Sequence, residues 1–414
     1  MQTLDRIWDI LATTGFKVST DTRKDVSGSV FFALKGETFD GNDFVENALV
    51  KNPAAIVTEN EQFKSRENVY VVDNTLSVLQ KLARRYRDLF NIPILAIGGS
   101  NGKTTTRGLV RHFLEKRYKV HATASNLNNY IGLPLSILSM NRSAEIAVLE
   151  IGANRLNEHL ELLSILNPTH VLVTNNGLDH LEGFGSPDNV IKANEEIHDW
   201  ARQHKAIILK GADQGLEIAK SLPLSIRKDG KEYPTQLVGD YNIENINRAL
   251  SVARDFGVSV EESLLSLSDY SPASWRSQLV ERDGTRFVVD CYNANPTSMK
   301  LALESFTKSA REPRGLILGD MLELGPYADE AHEQVLAYLA GQRFDPIILI
   351  GKDFKKALEK TKLKASWFPD SGSTKKWFNK QNFDGHTLLL KGSRVIGVEK
   401  ILERDDSPAL VDHA

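Results

Sequence analysis

Short, almost unbroken apolar runs that recur between longer helical patterns constrain this chain more than any other feature. The runs occupy residues 94–97, 146–151, 171–174, 206–209, 287–289, 316–318, 347–350 and 388–390. A strand with one face in water alternates apolar and polar residues. A strand covered on both faces does not, and helix-covered parallel sheets produce that unbroken pattern. Between the runs, pairs such as Leu109-Val110 and Phe113-Leu114 recur four apart, the spacing of a helix face. Repeated strand–helix order predicts an α/β chain with mainly parallel sheets. Ligands of such sheets sit beyond the carboxyl ends of the strands, so the residues just after each run are the first candidates for chemistry.

The chain divides into three expected domains. Residues 1–90 carry an amphipathic first helix (Leu4, Ile7, Trp8, Leu11) and two strand-like runs, Val30-Phe31-Phe32-Ala33-Leu34 and 54–57, too few for a nucleotide fold alone. Residues 91–272 hold the first four of the later runs. Residues 273–414 hold the other four and read as a doubly wound unit. The stretch 268–274, rich in Ser, Asp and Pro, reads as a linker, and the tail Asp405-Asp406-Ser407-Pro408 is expected to fray. Two to four domains is also the prior for 414 residues. With Lys plus Arg at 51 and Asp plus Glu at 54, the formal charge is −3, which gives no chain-wide case for nucleic acid but leaves room for a local basic cleft. Cys291 is the one cysteine, which excludes an intrachain disulfide and a Cys-rich zinc site and suits a reducing compartment. No apolar run reaches the roughly 18–20 residues of a membrane span, and the start lacks the basic-then-apolar layout of a signal peptide. A cytoplasmic enzyme without membrane insertion is the expectation.

After the run 94–97 comes Gly98-Gly99-Ser100-Asn101-Gly102-Lys103-Thr104-Thr105-Thr106, then a helical pattern. Strand, glycine-rich turn, Lys-Thr and helix is a layout for cradling polyphosphate: glycines let backbone amides approach the oxygens, and a helix N-terminus favours negative charge. Lys103 would reach the terminal phosphates and Thr104 a magnesium position. The strict Walker spacing would want glycine at 97, where Ile97 stands, so the generic pattern is not met. Glu150 ends the next run and can share the metal that phosphates hold. His180 follows a later run, among glycines, where a loop histidine serves as metal ligand or acid–base group as readily as a structural one.

Several segments together resemble the Mur ligase family, ATP-dependent enzymes that build the peptide stem of peptidoglycan. Gly99-Ser100-Asn101-Gly102-Lys103-Thr104-Thr105 carries the superfamily resemblance. More specific are Asp21-Thr22-Arg23, Asn126-Leu127-Asn128-Asn129-Tyr130, Glu150-Ile151-Gly152-Ala153 and His180-Leu181-Glu182-Gly183-Phe184-Gly185-Ser186. Tyr292-Asn293-Ala294-Asn295-Pro296, Leu318-Gly319-Asp320-Met321-Leu322-Glu323-Leu324-Gly325 and Lys391-Gly392-Ser393-Arg394 complete the series, in order along nearly the whole chain. The resemblance implies an N-terminal UDP-substrate domain, a central phosphate-loop domain and a C-terminal Rossmann-like domain. It implies ATP and Mg2+, and substrates UDP-MurNAc-tripeptide and D-Ala-D-Ala joined through an acyl phosphate; a monomer is the separate expectation. By the same resemblance Lys103, Glu150 and His180 are catalytic, and Thr104, Glu150 and His180 are metal ligands. Asn242, Asn245, Arg276, Asp290 and Asn293 join the phosphate loop around the nucleotide, with Tyr241 where the family more often has histidine. Thr22, Arg23, Asn126 and Asn129 are implied substrate contacts.

One position departs from the pattern. The family's carbamylated lysine aligns with Asn194, which cannot carry a carbamate. Lys192 is expected to face away, roughly 200° around the helix, and Glu195 or a water is the expected substitute. Three alternatives accompany this reading: another Mur-fold amino-acid ligase, a P-loop kinase, which would not explain the later blocks, or a nucleotide-binding subunit with degenerate catalysis.

Overall fold

The structure is a computed structural model, and it describes residues 2–36, 39–124, 126–273 and 275–403. Ser274 of the expected linker and the tail at 405–408 lie outside the described residues. Among the described residues, four sheets organise the chain. The N-terminal one is parallel throughout, in the order β1 (Val18–Ser19), β2 (Val30–Phe32), β3 (Ala55–Thr58), β4 (Val69–Val71). The helix Gln2–Thr13 buries Ile7 and Leu11, as its helical spacing requires.

The central sheet contains β5 (Ile94–Gly98), β6 (Val120–Ala122), β7 (Ile146–Glu150), β8 (His170–Val173) and β9 (Ile207–Ile208), in the spatial order β6-β7-β5-β8-β9 and all parallel. Every residue of β5 and β7 is buried, which is why their sequences show no alternation. The chain leaves β5 toward β7 on one side and later returns to its other side as β8, so β5 is the switch point where a crevice opens. Register fixes the crevice: Ile97 pairs with Glu150 and Gly98 with Val173. The phosphate loop, Glu150 and the 174–180 loop therefore emerge side by side.

A small antiparallel sheet, β10 (Glu217–Ser221), β11 (Leu224–Lys228) and β12 (Lys231–Pro234), follows. The last sheet contains β13 (Gln278–Arg282), β14 (Thr285–Asp290), β15 (Arg314–Gly319), β16 (Ile347–Ile350), β17 (Ser366–Phe368) and β18 (Thr387–Lys391). Its order is β13-β14-β18-β15-β16-β17, parallel except for the β13–β14 hairpin. Among the described residues, the connection expected at 268–274 is anchored at Tyr270. Tyr270 is buried, and its hydroxyl lies 2.5 Å from where a Cβ on Gly108 would stand, so this connection is pinned to the helix that follows the phosphate loop. Among the described residues no helix is long and apolar enough to cross a membrane.

Candidate active site

The phosphate loop owes its path to two glycines with positive φ, Gly99 at 114° and Gly102 at 78°. A Cβ at Gly99 would stand 2.3 Å from Thr174 Oγ1, and one at Gly102 would stand 2.3 Å from Asn245 Oδ1. Only glycine fits either place without moving a neighbour. From Gly102 the chain enters the helix Lys103–Leu114. Lys103 Nζ donates back to the carbonyls of Gly99 (2.6 Å) and Ser100 (3.1 Å), which holds the ammonium over its own loop.

Thr104 and Glu150 come together as the sequence expects. The Thr104 hydroxyl donates to Glu150 Oε2 at 2.9 Å, with Oε1 at 3.2 Å. The Glu150 carboxylate is almost fully buried, and Asn128 Nδ2 (2.8 Å) and the Arg107 guanidinium (3.5 Å) also face it. Burial pushes the Arg107 pKa down, the neighbouring Arg276 charge acts the same way, and Glu150 opposes both. Arg107 does not stand out in the sequence, and Asn128 lies in the 126–130 block without being one of its expected contacts. Of the expected substrate contacts around residue 128, Asn129 is occupied with turn chemistry: its Oδ1 accepts from the amides of Ile131 (3.1 Å) and Gly132 (2.8 Å).

Asn242 and Asn245 line the other side of the loop from the helix Asn242–Asp255. Asn245 Oδ1 accepts from Thr106 Oγ1 (3.3 Å) and its Nδ2 donates to Asn242 Oδ1 (2.9 Å), while Asn242 Nδ2 donates to the Val238 carbonyl (2.8 Å). Asn194 is buried against the loop and donates to Asn176 Oδ1 at 2.9 Å, with Ser100 Oγ and the Asn175 carbonyl at 3.4 Å. Lys192 and Glu195 are both exposed on the outer face of the helix Pro187–His204, which carries Asn194. Lys192 thus faces away as helical geometry predicts, whereas Glu195 does not turn inward as a substitute ligand.

The carboxyl edges of the central and last sheets face each other across this crevice. Asn295 Nδ2 donates to Asn101 Oδ1 (2.8 Å), and the Leu178 amide donates to Thr297 Oγ1 (3.0 Å). His180 Nδ1 meets Glu323 Oε2 at 2.6 Å, and the Glu182 amide donates to the Glu323 carbonyl at 2.9 Å. His180 and Glu323 both have positive φ (47° and 62°), a strained conformation that persists where surrounding contacts over-determine it. The hydrogen bond from His180 holds the Glu323 carboxyl below its ordinary value. His180 therefore spends one nitrogen on joining the two sheets, a partner the sequence reading did not foresee.

On the last sheet, register sets Asp290 beside Lys391, and the buried Lys391 Nζ lies 2.6 Å from Asp290 Oδ2. Asp290 Oδ1 accepts from the Ser277 amide at 3.3 Å. Asn293 turns its Oδ1 to the Ala294 amide (2.8 Å). Arg276 stacks its guanidinium on Tyr292, 3.5 Å from the ring centre. Thr22 and Arg23 sit apart from this edge, in the connection between β1 and β2. Arg23 forks Asp21 with two bonds of 2.9 Å, and Lys51 donates to the Thr22 carbonyl at 2.6 Å.

These residues fit a polyphosphate with a hard divalent cation. Asn101 Nδ2, Thr174 Oγ1 and Asp179 Oδ1 are buried without a hydrogen-bond partner, all in the loops after β5 and β8. Native structures rarely leave such atoms unpaired, so a ligand is their natural complement. A carboxylate and a hydroxyl at the loop are the oxygen donors magnesium takes. A second group, Asp320, His332 and Asp353, brings its ligand atoms within 4.8 Å of one another. It is structural: His332 Nε2 accepts from the Met321 amide (3.0 Å), and the Asp320 oxygens accept from the amides of Asp353 and Phe354 (2.9 Å each).

Known proteins share this arrangement. The description "Mur ligase family, catalytic domain" matches residues 17–87, "Mur ligase middle domain" matches 97–225, and "Mur ligase, glutamate ligase domain" matches 275–394. The UDP-N-acetylmuramoyl-tripeptide–D-alanyl-D-alanine ligase of Bacillus subtilis (strain 168) is 32% identical, over 93% of this chain and 92% of that one. The ligase of the same name from Treponema pallidum (strain Nichols) is 29% identical over 96% and 95%. The crystal structure of MurF from Acinetobacter baumannii superposes with a TM-score of 0.81 at 26% identity, covering 93% of this chain and 92% of its own. With family matches on each side of the crevice and a relative at this identity along almost the whole length, the chain belongs to the Mur ligase family.

Proposed function

We propose that this protein joins the amine of D-Ala-D-Ala to the terminal carboxylate of UDP-MurNAc-tripeptide, with ATP converted to ADP and phosphate. The observation that carries the reading is full-length similarity to ligases of that name, 32% identical over 93% of the chain in the B. subtilis case. It is joined to a buried Thr104–Glu150 pair at the switch point of the central sheet. ATP supplies the phosphoryl group that turns a carboxylate into an acylating agent, and Mg2+ lowers the repulsion between the two anions.

The chain's own residues prepare for that chemistry. Gly99 and Gly102 let the loop backbone approach the phosphates, and Lys103 places a positive charge over them. Thr104 and Glu150 would hold the cation, with Asn128 and Arg107 orienting the carboxylate. His180 is proposed as the ligand of a second cation as well as the partner of Glu323. Asn242, Asn245, Arg276, Asp290 and Asn293 enclose the nucleotide between the two sheets. Thr22 and Arg23 would take the UDP end, and Asn126 and Asn129 the muramoyl peptide. The proposed domains are 1–90, 91–272 and 273–414, and the gaps between family matches at 88–96 and 226–274 support the boundaries. The enzyme is proposed to act as a monomer in the cytoplasm.

A coupled ADP-release assay tests this reading with tripeptides ending in meso-diaminopimelate or lysine, and with D-Ala-D-Ala against other dipeptides. ADP release should require one UDP-tripeptide and D-Ala-D-Ala together. Release with a different amine, or none with any pair, would overturn it. Binding of nucleotide without turnover would favour a degenerate subunit, for which the neutral Asn194 beside the loop is the motivating observation.

A further inference from the structure

Two residues with side chains adopt the left-handed backbone on either side of Arg276: Trp275 has φ 63° and Ser277 has φ 50°. Neither is a residue type that visits this region readily, so the reversal stands only because other groups hold it. The Trp275 amide donates to Gln278 Oε1 (2.9 Å), and the Trp275 carbonyl accepts from the amides of Cys291 (2.8 Å) and Tyr292 (3.2 Å). Ser277 is buried; its amide faces Asp290 Oδ1 (3.3 Å) and its carbonyl accepts from the Val238 amide (3.1 Å). Its hydroxyl has one side-chain partner, the Tyr241 hydroxyl at 3.0 Å.

The clip delivers a charge. Arg276 stacks on Tyr292, and its charge reaches Arg107, in the helix that starts at the phosphate loop, and Tyr270, packed against that helix at Gly108. Tyr241 stands at the joint between clip and loop. It immediately precedes Asn242, whose side chain contacts Asn245, and Asn245 contacts Thr106 and crowds Gly102. Desolvation, followed by the Asp290 charge, pushes the Tyr241 phenol up, and either hydroxyl of the Tyr241–Ser277 pair can donate to the other.

We propose that Tyr241 is a positioning residue for the nucleotide: through Ser277 it fixes the reversed backbone that aims Arg276 at the phosphate-loop helix. The inference rests on the nucleotide site proposed above and names a residue that tunes it. Tyr241→Phe removes one hydroxyl and keeps the ring that packs over Gly239.

The experiment titrates a fluorescent ADP analogue with Mg2+ into wild type, Tyr241→Phe, Arg276→Ala and the double variant, and records melting temperature and UDP-tripeptide affinity for each. Tyr241→Phe should weaken nucleotide binding by about three- to tenfold, the range carried by one net hydrogen bond. Melting temperature should fall by no more than the roughly 2–4 °C that one lost hydrogen bond takes, and equally with and without Arg276, while UDP-tripeptide affinity should stay within error of wild type. In the Arg276→Ala background the same change should cost nothing further, because a residue acting through Arg276 has nothing left to position. Ser277→Ala, which deletes the other half of the bond, should reproduce the loss. Unchanged nucleotide affinity in Tyr241→Phe and Ser277→Ala overturns the proposal, as does an equal loss with and without Arg276. A wild type that binds no nucleotide overturns the site reading and this inference with it.

Discussion

Gly102→Ala measures how tightly the loop is built. The substitution places a Cβ 2.3 Å from Asn245 Oδ1, 3.1 Å from its Cγ and 3.2 Å from its Nδ2. Asn245 is buried and cannot swing aside without giving up its bonds to Thr106 and Asn242. Those two bonds are worth about 1 kcal/mol each. Alanine at φ 78° adds about 1–2 kcal/mol of backbone strain. The total of about 3–4 kcal/mol is a large share of a typical domain's stability. A control separates the two parts: Gly257 has φ 83° with nothing within 4 Å of its would-be Cβ, so Gly257→Ala carries only the backbone part. Urea unfolding and nucleotide titration of both variants supply the comparison. Gly102→Ala should unfold at lower urea than Gly257→Ala and bind nucleotide at least about tenfold more weakly, which takes only about 1.4 kcal/mol of the strain. Adding Asn245→Ala removes the obstacle, so the double variant should be less destabilised than the sum of the singles. If Gly102→Ala behaves like Gly257→Ala in both assays, the collision argument is wrong.

Three further outcomes are expected. Lys103→Ala should fold normally, its charge being held by loop carbonyls rather than by a buried carboxylate, yet lose ligation; near-native turnover would remove the phosphate-loop role. His159 is buried, with Nδ1 donating to the Ala193 carbonyl (2.8 Å) and Nε2 unpartnered, and burial pushes its imidazole down to about 4 from 6.5. The unfolded chain takes up that proton first, so stability should fall as pH drops from about 6.5 to about 4, by on the order of 3 kcal/mol, and His159→Phe should flatten this part of a urea-midpoint profile. Wild-type turnover should be indifferent to stripping of dissolved carbon dioxide, while Asn194→Lys should become bicarbonate-dependent; a wild-type rate that bicarbonate restores would put a carbamate on another lysine.

The legible parts of the fold were those whose physics is local. Strands buried on both faces announced themselves, and β5, β7, β15 and β18 lie where their apolar runs stand. β1 and β4 were missed because they are two and three residues long and only partly buried. The β10–β12 meander was missed because its outward side chains are charged and only a few residues, Leu224, Ile226 and Tyr233 among them, turn inward. In the site, the loop glycines, Lys103, Thr104 and Glu150 were readable because strand-end position and residue type coincide. The contacts from Asn128 to Glu150 and from Glu323 to His180 were not, since pairing between loops depends on how strands are ordered. Asn101 and Asn295 meet across 194 positions. Part of that signal was present: Asn295-Pro296-Thr297-Ser298 spells a helix start, and the structure has the reciprocal capping box there.

The site's charge runs against the chain's. Across 414 residues the formal charge is −3, yet the buried Glu150 faces the Arg107 guanidinium, Arg276 lies near Arg107, and Lys103 stands over the neighbouring loop. Such an excess would be costly in a dry core, and here desolvation already lowers the Arg107 pKa. A bound polyanion would relieve the arrangement, its phosphates facing the lysine and arginines, and Thr104 and Glu150 would hold a divalent cation. A sum over composition averages this cleft away, so a near-neutral chain is no argument against a strongly anionic substrate. What decides is the local placement of cations: Lys103 over the loop, Arg107 beside Glu150 on the following helix, and Arg276, just before the last sheet, near Arg107. That placement depends on Tyr270 and the Trp275–Ser277 reversal holding the connection between the two sheets in place.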